Sequence, residues 1–328
     1  MSNMEADPTE VQCTAHPVAG VEVIESRLVP LGGLRAMKVR RTLPTRDRSM
    51  VGAWCFADHY GPEPVSASGG MQVLPHPHTG LQTVSWLFEG EIEHRDSAGV
   101  HAMVLPGEMN LMSAGRGISH SEISTNRVEM LHGVQLWLAL PDAVRHGHNG
   151  FQHYAPPSVP LTGPDGAVVG SMRVFAGALG GSVSEITTAT PLLGAELLID
   201  AGRQVDLAVE ATFEHGVLLD TERLLVDDVE LARAELGYVG PGTGTLTLTN
   251  PTAEPARLIL LGGEPFAEDI IMWWNFLGRD HDEIVGYREE WQARSERFGV
   301  VGGWGADEWI PAPALPNTRL KPRKRPQS

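Results

Sequence analysis

The feature that most limits what this chain can become is a succession of short apolar runs broken by turn residues. Residues 82–88 (QTVSWLF), 131–140 (LHGVQLWLAL), 194–200 (GAELLID), 245–249 (TLTLT) and 257–261 (RLILL) have strand length. They are rich in β-branched or aromatic side chains. The 37 Gly and 24 Pro among 328 residues are high for a helical protein and suit many short strands joined by turns. Helical signals are scarce until Asp280 and Glu283, which have capping-box spacing. Ile284, Tyr287, Trp291 and Phe298 then fall near one face, and Gly299 is a natural stop. An amphipathic helix over 280–298, lying against a β-barrel, is predicted. Trp273 and Trp274 just before it read as packing residues.

At roughly 150 residues per domain, the length favours two domains. The expected order is a loose leader (1–20), a first β-rich domain (21–145) and a connection rich in Pro, Gly and His (146–170). A second β-rich domain (171–265), a helical segment (266–310) and a disordered basic tail (311–328) follow. The two β-rich stretches have the marks of repeats. Gly115-Arg116-Gly117 precedes His120 and Glu122, and Gly242-Thr243-Gly244 precedes Thr247 and Thr249 at the same offsets. The best alignment of the remaining residues sets Leu207-Ala208-Val209 opposite His76-Pro77-His78, so the second copy lacks the polar quartet.

The formal charge of −16, from 41 acidic against 25 basic residues, repels phosphate backbones and argues against nucleic acid as a direct partner. Two cysteines, Cys13 and Cys55, are too few for a disulfide framework and fit a reducing compartment. The first residues lack an apolar signal core, and no run approaches the roughly 18 apolar residues of a membrane helix. A cytoplasmic protein is expected.

The chemistry resides in two i, i+2 pairs. Residues so spaced on a strand point to one face, so His76 and His78 can both point inward with Pro77 outward, and so can His120 and Glu122 on a second segment. Facing each other, they bring three imidazoles and a carboxylate to one point, a donor set for a first-row divalent metal. With 13 His in the chain, hydrogen-bonded histidines near a surface are the competing reading of His76-x-His78 alone. His94 and Asp96 read either as groups that orient ligands or as a polar strand end. His132 reads as a buried, hydrogen-bonded histidine, and His146, His148 and His153 as solvated loop histidines.

Gly70, His76-Pro77-His78 and Gly90 resemble the first cupin motif, with Gln82 where that motif usually has Glu. The segments HPHTGLQTVSWLFEGEIEHRDS (76–97), MSAGRGISHSE (112–122) and HGVQLWLALP (132–141) resemble the pirin family closely, in order, over about 65 residues. Residues 262–265 (GGEP) extend the likeness more loosely. The resemblance implies an all-β bicupin, two jelly-roll-like β-barrels in tandem, with the metal in the N-terminal cupin domain and none in the C-terminal one. It implies His76, His78, His120 and Glu122 as ligands and Fe(II) as the usual metal. The donors also admit Mn, Co, Ni, Cu or Zn.

Pirins similar to this chain include quercetin 2,3-dioxygenase-like enzymes. The resemblance therefore implies O2 and a small aromatic, flavonol-like substrate at a mononuclear site of three histidines and one glutamate. Glu122 would be its catalytic base, and Trp86 and Met112 are candidates for an apolar wall. The alternative, also implied by the family, is a non-enzymatic iron-dependent regulator that binds a protein partner according to metal redox state. A different metal-dependent oxygenase or isomerase is a third reading.

Overall fold

The computed structural model describes residues 20–31, 37–46 and 48–322. Nearly all of the expected leader, with Cys13, lies outside the described residues, as does the end of the basic tail from 323. Strands dominate, and His281–Gln292 is the one helix longer than a single turn among the described residues.

Each half of the protein is two antiparallel sheets, one of seven strands and one of four, packed face to face. In the first half the larger sheet runs Gly150–Tyr154, Met109–Ser113, Leu81–Glu89, Met130–Ala139, Trp54–Pro64, Met37–Leu43, Arg27–Leu31. The smaller runs Gln72–His78, Ile118–Ser124, Ile92–Asp96, His101–Val104. The second half repeats the division, its smaller sheet running Gln204–Ala208, Thr245–Thr249, Arg223–Val226, Val229–Ala232. The tandem cupin architecture is present, but among the described residues neither half is a closed barrel. Closure needs a hydrogen-bond ladder that continues around the ring. Here pairing stops at each sheet's edges, and side chains join the two layers.

The repeat holds at the level of strand order and slips by one residue in detail. Leu207 pairs with Leu246 and both point into the core, as His76 and its partner His120 do. Leu207-Ala208-Val209 therefore keeps the facing of His76-Pro77-His78, whereas Thr247, which the glycine match sets opposite His120, points outward. In the second half Val205, Leu207, Leu246 and Leu248 point into the core, while Asp206 and Thr247 bond to each other on the outer face. A one-residue change of register turns every side chain of a strand to the opposite face.

The halves exchange their ends. Val21–Ile24 pairs with Leu236–Val239 of the second half. The expected connection carries Gly150–Tyr154, on the first half's sheet, and Val159–Thr162, on the second's. Residues 271–312 return to cover the first half, where Trp273, Trp274, Phe276, Ile284, Tyr287 and Trp291 join one core with Tyr60, Val73 and Ile92. Both tryptophans are therefore packing residues, as expected. The two large sheets bury a shared core between them, including Trp54, Trp86, Leu136, Phe175, Leu218 and Ile259.

The Asp280 side chain caps the helix by accepting from the Glu283 N–H at 2.9 Å. The helix stops at Gln292, short of the predicted 298. Arg294 adopts φ 55°, and the Ser295 N–H bonds back to the Glu290 carbonyl at 2.9 Å. That is a left-handed C-terminal closure made without the glycine that usually signals it. Phe298 reaches the core from the following turn, 5.4 Å from the Trp291 ring. The described part of the tail is docked rather than loose: Arg288 Nε donates to the Pro313 carbonyl at 2.6 Å, and Arg319 pairs with Asp282 at 2.9 Å.

Candidate metal centre

The first site strand, Gln72–His78, contains Pro75 and Pro77, so it lacks ladder donors at both positions. Its register against Ile118–Ser124 shifts between His120, which faces His76, and Glu122, which faces Val73. The extra residue bulges this strand beside the site, and bulges re-aim side chains. The second strand follows the turn at Gly115 (φ 50°), where a Cβ would lie 2.4 Å from the Gly147 carbonyl oxygen. Only glycine makes that turn without moving the loop.

His76, His78 and His120 are completely buried and converge, with one potential ligand atom from each lying within 4.8 Å of the others. His76 Nδ1 donates to the Leu74 carbonyl at 2.9 Å, and His78 Nδ1 to the Asn275 carbonyl at 3.1 Å. A carbonyl only accepts, so both rings carry hydrogen on Nδ1 and a lone pair on Nε2. Among the described residues His76 Nε2 has no hydrogen-bond partner, and His78 Nε2 lies 3.1 Å from His120 Nε2. Burial above all holds the three imidazoles well below their ordinary value of 6.5, so they are neutral at neutral pH. An orphaned buried nitrogen beside two close nitrogens is a donor set that a cation satisfies. Two nitrogens each about 2.1 Å from one ion can span the observed gap.

Glu122 is also fully buried and groups with His120 and His94. Its Oε1 accepts from Ser85 Oγ at 3.1 Å, and Ser85 also meets Gln135 at 2.9 Å. Burial, then the Glu122 charge, holds the Tyr60 hydroxyl well above its ordinary 10.0. On the other side the Phe151 ring packs 5.1 Å from that of His94 and closes an apolar patch with Met112, Ala114 and Ile118.

Residues 35–138 match the Pirin family model, and residues 194–299 match that of the Pirin C-terminal cupin domain. The chain belongs to the pirin family. A Pseudomonas aeruginosa relative, named "Putative quercetin 2,3-dioxygenase PA1205", is 40% identical over 89% of this chain and 90% of its own. A "Pirin-like protein" of Caulobacter vibrioides is 34% identical over 83% of this chain and 92% of its own. The crystal structure of a quercetin 2,3-dioxygenase from Acinetobacter baumannii superposes with TM-score 0.86 at 33% identity, over 93% of this chain and 98% of that one.

Of the residues singled out in the sequence, this pirin brings His76, His78, His120, Glu122, His94 and Asp96 to one face. Met112 joins the apolar patch. Trp86 does not line the site: it points to the other side of its strand from Ser85, into the core between the halves, with its ring 4.7 Å from Phe175. Gln82 points to the same side of the strand as Trp86 and donates to Ser113 at 2.6 Å. His146, His148 and His153 are exposed, although His153 stands on a strand and bonds to Asn110. Sequence reasoning missed Ser85, Gln135, Tyr60, Phe151 and the Asn275 carbonyl. Only the inward parity of residues 83, 85 and 87 on their strand could have suggested Ser85.

His132 is buried and hydrogen-bonded, as expected, but its partner is across the domain boundary. His132 Nε2 and His59 Nε2 both donate to Asp220 Oδ1, at 2.5 and 2.7 Å. Arg257 and Arg233 approach the same carboxylate at 3.4 and 3.7 Å. With two guanidinium groups already beside it, this second group of ligand-type residues is an ion-pair junction between the halves rather than a cation site.

Proposed function

We propose that this pirin is a metal-dependent dioxygenase that opens a flavonol ring with O2 and releases carbon monoxide. His76, His78, His120 and Glu122 hold one divalent ion, Fe(II) first. The observation that carries the metal reading is the convergence of three buried, neutral imidazoles, two of which have their hydrogens committed to backbone carbonyls. The substrate class is supported by the relatives at 40% and 33% identity that bear the quercetin dioxygenase name.

When bound, the ion supplies a Lewis acid at the flavonol 3-hydroxyl oxygen and an electron path to O2. The chain supplies the rest. Glu122 accepts the hydroxyl proton on its carboxylate, serving as ligand and general base together. Ser85 holds that carboxylate in place. Phe151, Met112 and Ile118 give a flat aromatic substrate an apolar wall beside His94. Burial of all four ligands keeps bulk water from the electron-rich, deprotonated substrate.

The test is O2-dependent loss of quercetin absorbance with carbon monoxide release by the iron-loaded protein. Metal content is measured beside it in the wild type, His76→Ala and Glu122→Ala. Turnover lost in both variants, with metal lost in His76→Ala, supports the reading. Full iron loading with no turnover of any flavonol rejects the dioxygenase. Unchanged metal content in His76→Ala rejects the ligand set.

A further inference from the structure

We propose that Asp96, acting through His94, dictates which nitrogen of His120 is left bare for the metal. This rests on the reading of His120 as a ligand. His94 and Asp96 stand on Ile92–Asp96, where His94 is directly opposite Glu122 and Asp96 directly opposite His120. The two-residue period puts all four side chains on one face, and His94 and Asp96 are buried.

The chain of hydrogen bonds has one consistent direction. Asp96 Oδ1 accepts from the backbone N–H groups of Ala98 and Val100, at 2.9 and 3.0 Å. Its other oxygen lies 3.4 Å from His94 Nε2. A carboxylate can only accept, so His94 carries its hydrogen on Nε2. The neutral ring then presents a lone pair at Nδ1, which faces His120 Nδ1 at 3.4 Å. That lone pair calls for a hydrogen on His120 Nδ1. His120 Nε2 is thereby left bare and directed at His78 Nε2, 3.1 Å away. Both 3.4 Å links are at the long end of the hydrogen-bond range. Burial makes them decisive, because no bulk water is there to satisfy the opposite tautomer. His76 and His78 receive the same instruction from backbone carbonyls. His120 is the one imidazole of the three whose tautomer depends on side chains. Asp96 and His94 are thus positioning residues for the ligand set.

The discriminating substitution is Asp96→Asn. Two backbone N–H groups keep an acceptor at the Oδ1 position, so the new amide turns its NH2 toward His94. It then donates to His94 Nε2, His94 moves its hydrogen to Nδ1, and His120 is driven to carry hydrogen on Nε2. A single-atom change inverts the chain and puts an N–H where a lone pair is needed. Metal-free full-length protein is titrated with Ni²⁺ by calorimetry. His120 tautomers are read from long-range ¹H–¹⁵N spectra of the same samples. The expected result is an affinity loss of roughly 10- to 100-fold in Asp96→Asn, with the His120 hydrogen moved from Nδ1 to Nε2. His94→Ala, which frees the tautomer without inverting it, loses less. Wild-type affinity together with an unmoved His120 hydrogen in Asp96→Asn overturns the proposal. Should that variant fail to fold, the spectrum of His94→Ala decides: an unchanged His120 tautomer overturns the proposal, and mixed tautomers support it. His120→Ala separates the two readings. If it binds Ni²⁺ like the wild type, the ligand set itself is wrong. If it does not, while Asp96→Asn does, only the positioning chain is wrong.

Discussion

The Nδ1–H of His78 is held by the backbone carbonyl of Asn275, 197 residues further along the chain, at 3.1 Å. Asn275 is in the turn of a short hairpin between Ile271–Trp273 and Phe276–Gly278, and Trp274 beside it adopts φ 52°. A segment that follows the second domain thus orients a ligand-type histidine of the first.

Loosening that hairpin should therefore reach the site. The Phe276 ring stacks on Trp273 at 6.3 Å and meets Tyr287 and Phe298 at 5.9 Å each. Phe276→Ala is expected to cost about 3–5 kcal/mol of stability and to weaken Ni²⁺ binding measurably under conditions where the variant stays folded. Urea unfolding and calorimetry check both. A stability loss with wild-type nickel affinity would show that the Asn275 carbonyl contributes nothing to His78.

Ser85 gives a prediction with little change in packing. Ser85→Ala removes the donor to the buried Glu122 carboxylate. We expect metal affinity to fall by about 10-fold or more, while the melting temperature moves little. Ser85→Thr, which keeps the hydroxyl, should retain more affinity than Ser85→Ala. Equal affinity in wild type and Ser85→Ala would mean that Glu122 is held by other groups.

The junction between the halves makes stability depend on pH in a defined direction. Burial, only partly offset by Asp220, lowers the His59 value below 6.5, so His59 stays neutral in the fold while the unfolded chain takes up a proton. Burial alone would raise Asp220, but hydrogen bonds from His132 and His59 hold it below its ordinary 3.8. In both cases the unfolded state binds more protons, so stability rises with pH. The His59 contribution is lost as pH falls below about 6.5, and the Asp220 contribution only as pH falls below about 3.8. Asp220→Ala should cost about 3 kcal/mol at pH 7 and remove the Asp220 part of the acid slope. Denaturant unfolding across that range tests it, and a wild-type stability independent of pH between 7 and 5 would contradict the His59 assignment.

Trp86 and Phe151 should separate fold from site. Trp86→Ala opens a cavity against Phe175 in the core between the halves, and should cost about 3–5 kcal/mol with unchanged Ni²⁺ affinity. Phe151→Ala removes a half-buried ring beside His94, so it should leave the fold nearly intact and raise KM for quercetin. Thermal melts and steady-state kinetics distinguish the two. A Trp86→Ala protein that folds normally but loses nickel would place Trp86 at the site after all.

Much of the candidate centre was legible because its parts are local. His76 with His78, and His120 with Glu122, are i, i+2 pairs, and strand geometry alone sends each pair to one side. The helix start was legible too, since Asp280 and Glu283 are three residues apart and cap within one turn. The helix end was not, because Arg294 takes a left-handed conformation that its residue type does not announce. The repeat in the second half was visible, yet the glycine alignment sets its register one residue out. Matching glycines mark a turn, but which of two alternating faces is buried depends on the opposing sheet.

By itself, the sequence determined an all-β chain of two related halves, two inward pairs of ligand-type residues, and an apolar helix face near the end. Hydrophobic period and residue spacing carry these, and both act within a few residues. Only the tertiary structure decided that each half is an open pair of sheets. It also turned Trp86 away from the site, brought Ser85 and Gln135 up to Glu122, and set Asp220 between His59 and His132. Each of those outcomes joins positions far apart in the chain, by packing and hydrogen bonds that no local pattern encodes.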